Sequence, residues 1–197
     1  MAIRYGSGFC GSAQAVSYGE VVKTGDVEIS LHPAGHVLGS AQVLLCAGGG
    51  RTVVSGDYKR QADPTCAPFE LVACDTFVTE ATFGLPVFRH PPASQETEKL
   101  LTSLELFPEQ THLVGAYALG KAQRVIAELR AAGYGKTIYL HGALEKLTAY
   151  YQGQGVDLGA LEVPDGSEKQ FVVMAAGGHA RMGSTMGDHL VAFALPD

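Results

Sequence analysis

The chain has 197 residues, 46% of them hydrophobic, with 25 Gly and a formal charge of −6. That length suits one large or two small domains of about 100 to 200 residues, and no apolar run reaches the roughly 18 residues of a membrane span; with no basic start leading into an apolar core, a cytoplasmic chain is expected. Residues 1 to 90 carry 6 Lys and Arg against 8 acids and the remainder 8 against 12, so neither half can grip nucleic acid mainly by counterion release, and any such role must rest on a local site.

Residues 1 to 20 show no clear period and no element is assigned there. From Glu20 to Leu31 the pattern reads as two strands about a tight Gly25-Asp26 turn. The stretch Leu31-His-Pro-Ala-Gly-His36-Val-Leu-Gly-Ser-Ala-Gln42 follows directly. His32 and His36 are four apart, as in a helical zinc pair, but Pro33 and Gly35 between them break a helix, so one of the two at most faces a site. A second hairpin runs from Ala41 to Cys46, turns at Ala47-Gly-Gly-Gly50 and returns from Arg51 to Ser55, ending on Gly56-Asp57-Tyr58-Lys59. After a Pro-bearing loop, Cys74 to Thr79 reads as a short strand that ends on Glu80. Three strands therefore finish on metal-type or acid/base residues: His36, Asp57 and Glu80. The four cysteines, Cys10, Cys46, Cys66 and Cys74, form no Cys-x-x-Cys and read as buried thiols.

A Pro-rich segment, Leu85 to Ala93, separates this half from a different texture, and a domain boundary is expected near Arg89 to Pro92, giving units 1–90 and 91–197. Ser94 is a candidate N-cap for a helix with Leu100, Leu101 and Leu104 on one face before Pro108. Strands and helices then alternate: strand His112–Ala116, helix Leu119–Ala132 closed by Gly133, strand Thr137–Leu140, helix Ala143–Gln152, strand Lys169–Met174. Such alternation implies parallel βαβ units. Ala122, Val125, Ile126 and Leu129 form a core stripe on the second helix. His141 reads as satisfied by backbone, and the Gly-rich stretch from Gly177 through His179 and Gly183 to His189 as a mobile loop.

Phosphodiester hydrolysis needs a nucleophilic water at neutral pH and neutralised phosphate charge, which metal ions held by His and carboxylate supply. His36, Asp57 and Glu80 suit that chemistry. The plainer alternative is that Asp57 closes a turn, His36 bonds backbone and Glu80 caps the next segment. Gly115-Ala-Tyr-Ala-Leu-Gly120-Lys121-Ala122 fits the Walker A frame, yet Ala122 stands where Ser or Thr would hold magnesium. Phosphate contact by Lys121 and the helix start remains open, while nucleotide hydrolysis is disfavoured.

Three ordered blocks carry a resemblance: Pro33-Ala-Gly-His36-Val-Leu-Gly-Ser-Ala-Gln42, Val54-Ser-Gly-Asp57-Tyr-Lys59 and Thr79-Glu80-Ala-Thr-Phe-Gly84. They resemble the metallo-β-lactamase superfamily, specifically its β-CASP nucleases. Tyr117 to Arg124 is similar to the helix start of the β-CASP cap, and Asp63-Pro-Thr-Cys66 with Gly84-Leu-Pro86 brings the bacterial ligase-associated DNA exonucleases nearest, over roughly Arg4 to Phe193. The resemblance implies an α/β fold, a partial metallo-β-lactamase αββα sandwich followed by a β-CASP-like parallel α/β cap. It implies a metal-dependent DNA exonuclease or related phosphodiesterase using two Zn2+ ions, or Mn2+, with DNA or RNA as partner and a link to a DNA ligase pathway. His36 would ligate one metal, Asp57 would bridge both, Glu80 would orient a histidine, and Lys121 with the amides near Gly120 would touch substrate phosphates. The family's His-x-His-x-Asp-His block and its later histidines find no counterpart, so the chain resembles the middle of such an enzyme. Little metal binding or nuclease activity is expected of it alone, with a catalytically silent binding remnant as the alternative; an exposed apolar sheet face would favour self-association.

Overall fold

The computed structural model describes residues 3, 6, 8–164, 171–175 and 191–194. The chain divides into two compact units at Arg89/His90. Each unit is built on its own five-stranded sheet.

In the first unit, β1 (Val21–Thr24), β2 (Val27–Pro33), β3 (Ala41–Ala47), β4 (Gly50–Val54) and β5 (Thr76–Val78) lie in that order across the sheet. The first four form an antiparallel meander whose turns rest on Gly25, Gly48 and Gly49, all at positive φ, where a side chain would be strained. β5 joins β4 in parallel, Thr52 opposite Thr76 and Val54 opposite Val78. Two antiparallel steps make β2 and β4 point the same way, and β5 follows them, so the C-terminal ends of all three meet at one edge of the sheet. One face buries Ser30, Gln42, Leu44 and Val53. Tyr58, on the loop after β4, packs against Phe69 with ring centroids 5.3 Å apart and against Phe77 at 6.2 Å.

The second unit comprises α1 (Ala93–Leu106), β6 (His112–Ala116), α2 (Lys121–Ala131), β7 (Ile138–Leu140), α3 (Gly142–Gly153), β8 (Leu161–Glu162), β9 (Phe171–Ala175) and β10 (Val191–Ala194). Strand order is β10-β6-β9-β7-β8. The alternation does yield parallel pairing of β6, β9, β7 and β8, but β10 closes the edge antiparallel to β6. α1 starts at Ala93, one residue before the expected cap at Ser94, with Pro92 in the N-cap position. α2 starts at Lys121, since Gly120 has φ of +87° and cannot be a helical residue. Ala122, Ile126 and Leu129 are buried as the stripe requires, together with the polar Gln123. His112, 2% exposed, accepts at Nε2 from the Ser103 hydroxyl and donates from Nδ1 to the Gln110 carbonyl, tying β6 to α1. The expected loop from Gly177 to His189 lies outside the described residues. No described helix is long and apolar enough to cross a membrane.

Candidate hydrolase half-site

The turn between β2 and β3 owes its shape to Gly35. Its φ is +70°, and a Cβ there would stand 2.3 Å from the Lys59 carbonyl oxygen and 2.9 Å from the Phe69 nitrogen. Only glycine fits a backbone pressed from two sides in the left-handed region. Ser40 then closes the turn: its hydroxyl accepts from the His36 amide at 3.0 Å and the Val37 amide at 3.2 Å, while its carbonyl accepts from Ala34 at 3.1 Å. Tyr18, from the stretch to which sequence reading assigned no element, adds its hydroxyl to the same carbonyl at 2.9 Å.

Held this way, His36 brings Nε2 to 3.7 Å from Asp57 Oδ2, with side-chain exposures of 41% and 76%. The distance is within ion-pair range and beyond a hydrogen bond. Glu80 joins them. A hydrogen bond from the Thr82 amide at 2.6 Å, helped by the Thr82 hydroxyl, is the main reason its carboxyl is held below the usual range; slight desolvation opposes this, and the nearby charge of His36 adds to the lowering. Asp57 and Glu80 are joined through the buried Ser55, whose hydroxyl bonds the Gly56 carbonyl at 2.8 Å and lies 3.3 Å from the Thr79 hydroxyl. The Ser55 amide donates to the Val78 carbonyl at 2.9 Å. His36, Asp57 and Glu80 therefore share one sheet edge, two of them in direct ion-pair range. His32 faces elsewhere, bonded at Nε2 to Ser30 Oγ at 3.1 Å and at Nδ1 to Glu70 Oε1 at 2.9 Å.

A catalytic zinc takes three protein donors and a structural zinc four. Among the described residues, no group of three His, Cys, Asp or Glu stands close enough to hold a metal ion. Among the described residues, His36 and Asp57 are two donors, one fewer than a catalytic zinc takes.

In the second unit, the Gly120 amide donates to Gln123 Oε1 at 2.8 Å and the Ala122 amide to the Tyr117 carbonyl at 3.1 Å. Gln123 Nε2 bonds the Ala118 carbonyl and the Thr148 hydroxyl. Lys121 Nζ lies 4.7 Å above the Tyr117 ring, its pKa lowered chiefly by desolvation and further by Arg124. The turn thus spends these two amides internally. His141 serves as the N-cap of α3, its Nδ1 accepting from the Ala143 amide at 3.4 Å. Sequence reasoning also missed Arg130, whose guanidinium donates to the carbonyls of Leu158, Tyr134, Lys136 and Ala160 and pins the loops around β7 and β8.

The fold is therefore a mixed α/β protein with His36, Asp57 and Glu80 gathered at one sheet end. No family model matches the chain. It is 31% identical over 136 residues to a probable DNA ligase of Opitutus terrae, an alignment covering 68% of this chain and 13% of that protein. It is 30% identical over 145 residues to the endoribonuclease ysh1 of Aspergillus fumigatus, covering 71% of this chain and 16% of that one. A crystal structure of a protein of unknown function from Enterococcus faecalis V583 matches with a TM-score of 0.53 at 13% identity, over 88% of this chain and 47% of that chain. The chain's homologues are β-CASP metallo-β-lactamase nucleases, matched at about 30% identity over about 70% of its length. It spans less than a fifth of the length of either curated relative named here.

Proposed function

We propose that the chain supplies one side of a phosphodiester hydrolase site for nucleic acid, with His36 and Asp57 as two donors and Glu80 as an orienting carboxylate. The observation that carries this reading is the convergence of three strand ends, β2, β4 and β5, on those residues, with His36 and Asp57 3.7 Å apart. Two donors are fewer than the three protein donors of a catalytic zinc. Metal ions, once the donor set is complete, supply phosphate neutralisation and water activation. The chain's own part is to hold the imidazole and the carboxylate at fixed spacing and to keep Glu80 ionised beside His36.

DNA is the substrate we infer, because the ordered blocks resemble ligase-associated exonucleases and one relative is named a probable DNA ligase. The endoribonuclease ysh1 match makes RNA the comparison substrate. Lys121 is the phosphate contact in the second unit, as a side chain rather than through the Gly120 amide, which is already bonded. All four cysteines are free thiols, which suits the reducing cytoplasm.

A second reading, a catalytically silent nucleic-acid or protein binding module, is favoured by the incomplete donor set. One experiment separates the two. Residues 31–84 replace the matching stretch of a longer relative that cleaves nucleic acid. The hydrolase reading expects the chimera to stay active and to lose at least about a hundredfold with His36→Ala or Asp57→Asn, the scale expected for removing a preorganised charged group. A folded but inactive chimera would establish the silent reading instead.

A further inference from the structure

The loop that carries Asp57 is tied at both ends to the turn that carries His36. At the near end the Lys59 amide donates to the Ala34 carbonyl at 2.9 Å, and Lys59 is ion-paired to Asp63, which in turn accepts from the Thr65 amide at 2.9 Å. At the far end, Glu70 is gripped in three ways. Its amide donates to the Pro33 carbonyl at 3.1 Å. Its carbonyl accepts from Gln42 Nε2 at 2.7 Å, the same amide nitrogen that donates to the Pro33 carbonyl at 3.0 Å. Its carboxylate meets His32 Nδ1 at 2.9 Å, and His32 is braced behind by Ser30 Oγ. His32 and Gln42 are direct cross-strand partners in β2 and β3, so both grips come from one rung of the sheet. Gln42 is 1% exposed, and the His32 side chain 16%.

This is more bonding than packing requires for a surface loop. A buried amide that stitches two carbonyls together is costly to disturb in a low-dielectric interior. Gly35, the residue before His36, lies against the Lys59 carbonyl and the Phe69 amide, so the His36 turn and the loop from Lys59 to Glu70 are in direct backbone contact. We propose that His32 and Gln42 form a clamp on Glu70 that sets the spacing of His36 and Asp57, which makes Glu70 and His32 positioning residues of the half-site. The inference rests on the hydrolase reading for its purpose, but not for its test.

The test is nuclear magnetic resonance on the 197-residue chain carrying Glu70→Ala, a substitution at a half-exposed side chain that leaves the backbone bonds of residue 70 available. The clamp predicts that the His36 imidazole resonances move toward those of Asp57→Asn. It also predicts that the amides of Ala34, His36 and Val37 exchange about tenfold or more faster, while those of Leu44 and Val53 keep their protection. His32→Gln should give the same pattern, and the double variant should go no further than either alone, since both remove one contact. Unmoved His36 resonances, or exchange quickened equally through the sheet, would overturn the clamp. So would additive effects in the double variant. These readouts need no turnover, so an inactive chimera with an intact clamp signature would refute the hydrolase reading alone.

Discussion

Two glycine-bearing turns follow strands in this chain and end in opposite states. Around Gly35 the turn is closed by Ser40 and tied outward to Lys59 and Glu70, and the side chains of His36 and Asp57 stay exposed, 3.7 Å from each other. Around Gly120 the turn takes its bonds from its own helix: Gln123 caps the Gly120 amide, and Lys121 lies over Tyr117. The first arrangement leaves two polar side chains exposed at a sheet end, whereas the second commits Gln123 and the Gly120 amide to the turn itself. A glycine motif at a helix start cradles phosphate with unspent amides, and here those of Gly120 and Ala122 are spent.

The contrast can be broken most severely at Gly35. Gly35→Ala combines a disfavoured positive φ with backbone overlap, and should cost about 3 kcal/mol or more in the first unit, checked by urea denaturation followed by circular dichroism. Next in size is Gln123→Leu, which leaves the Gly120 amide and the Ala118 carbonyl without their partner. A loss of about 2 to 3 kcal/mol in the second unit is expected, with the His36 turn unchanged in hydrogen exchange. If Gln123→Leu left stability unchanged, the view of this turn as self-satisfied would fail. Lys121→Ala should cost only about 0.5 to 1 kcal/mol through its ring contact. Its sharper effect is on oligonucleotide binding, where the slope of log affinity against log salt should fall by about 1 if Lys121 meets a phosphate; an unchanged slope removes it from the site.

An effect comparable in size to the loss at Lys121 concerns Asp63. Burial raises its pKa, but hydrogen bonds from Lys59 and Thr65 and the Lys59 charge outweigh that and hold it below the usual aspartate range. A carboxylate depressed on folding stabilises above its unfolded pKa, and the contribution is lost as pH falls through the folded value. Stability should therefore decline by on the order of 1 kcal/mol as pH drops below about 4, and Asp63→Asn should flatten that part of the profile.

Much of this was legible in local sequence. The hairpins announce themselves through Gly25-Asp26 and Gly48-Gly49, because positive φ is a local requirement that glycine alone meets cheaply. His36, Asp57 and Glu80 could be picked out because each ends a strand, and strand ends are readable from period-two runs. What stayed hidden depends on distance along the chain. His32 meets Glu70 across 38 positions and Arg130 reaches Ala160 across 30, so no spacing rule marks either. The cap expected at Ser94 falls two residues earlier, at Pro92, because both residues suit a helix entry. β8, two residues long, and the antiparallel β10 were unread, since runs so short carry no period.

The most direct test of the half-site is equilibrium dialysis of the purified 197-residue chain against zinc and, separately, manganese, with bound metal quantified. The donor geometry predicts metal well short of equimolar, with little further loss in His36→Ala or Asp57→Asn. Tightly held, equimolar metal that disappears in both variants would contradict it and show that this chain completes the site by itself.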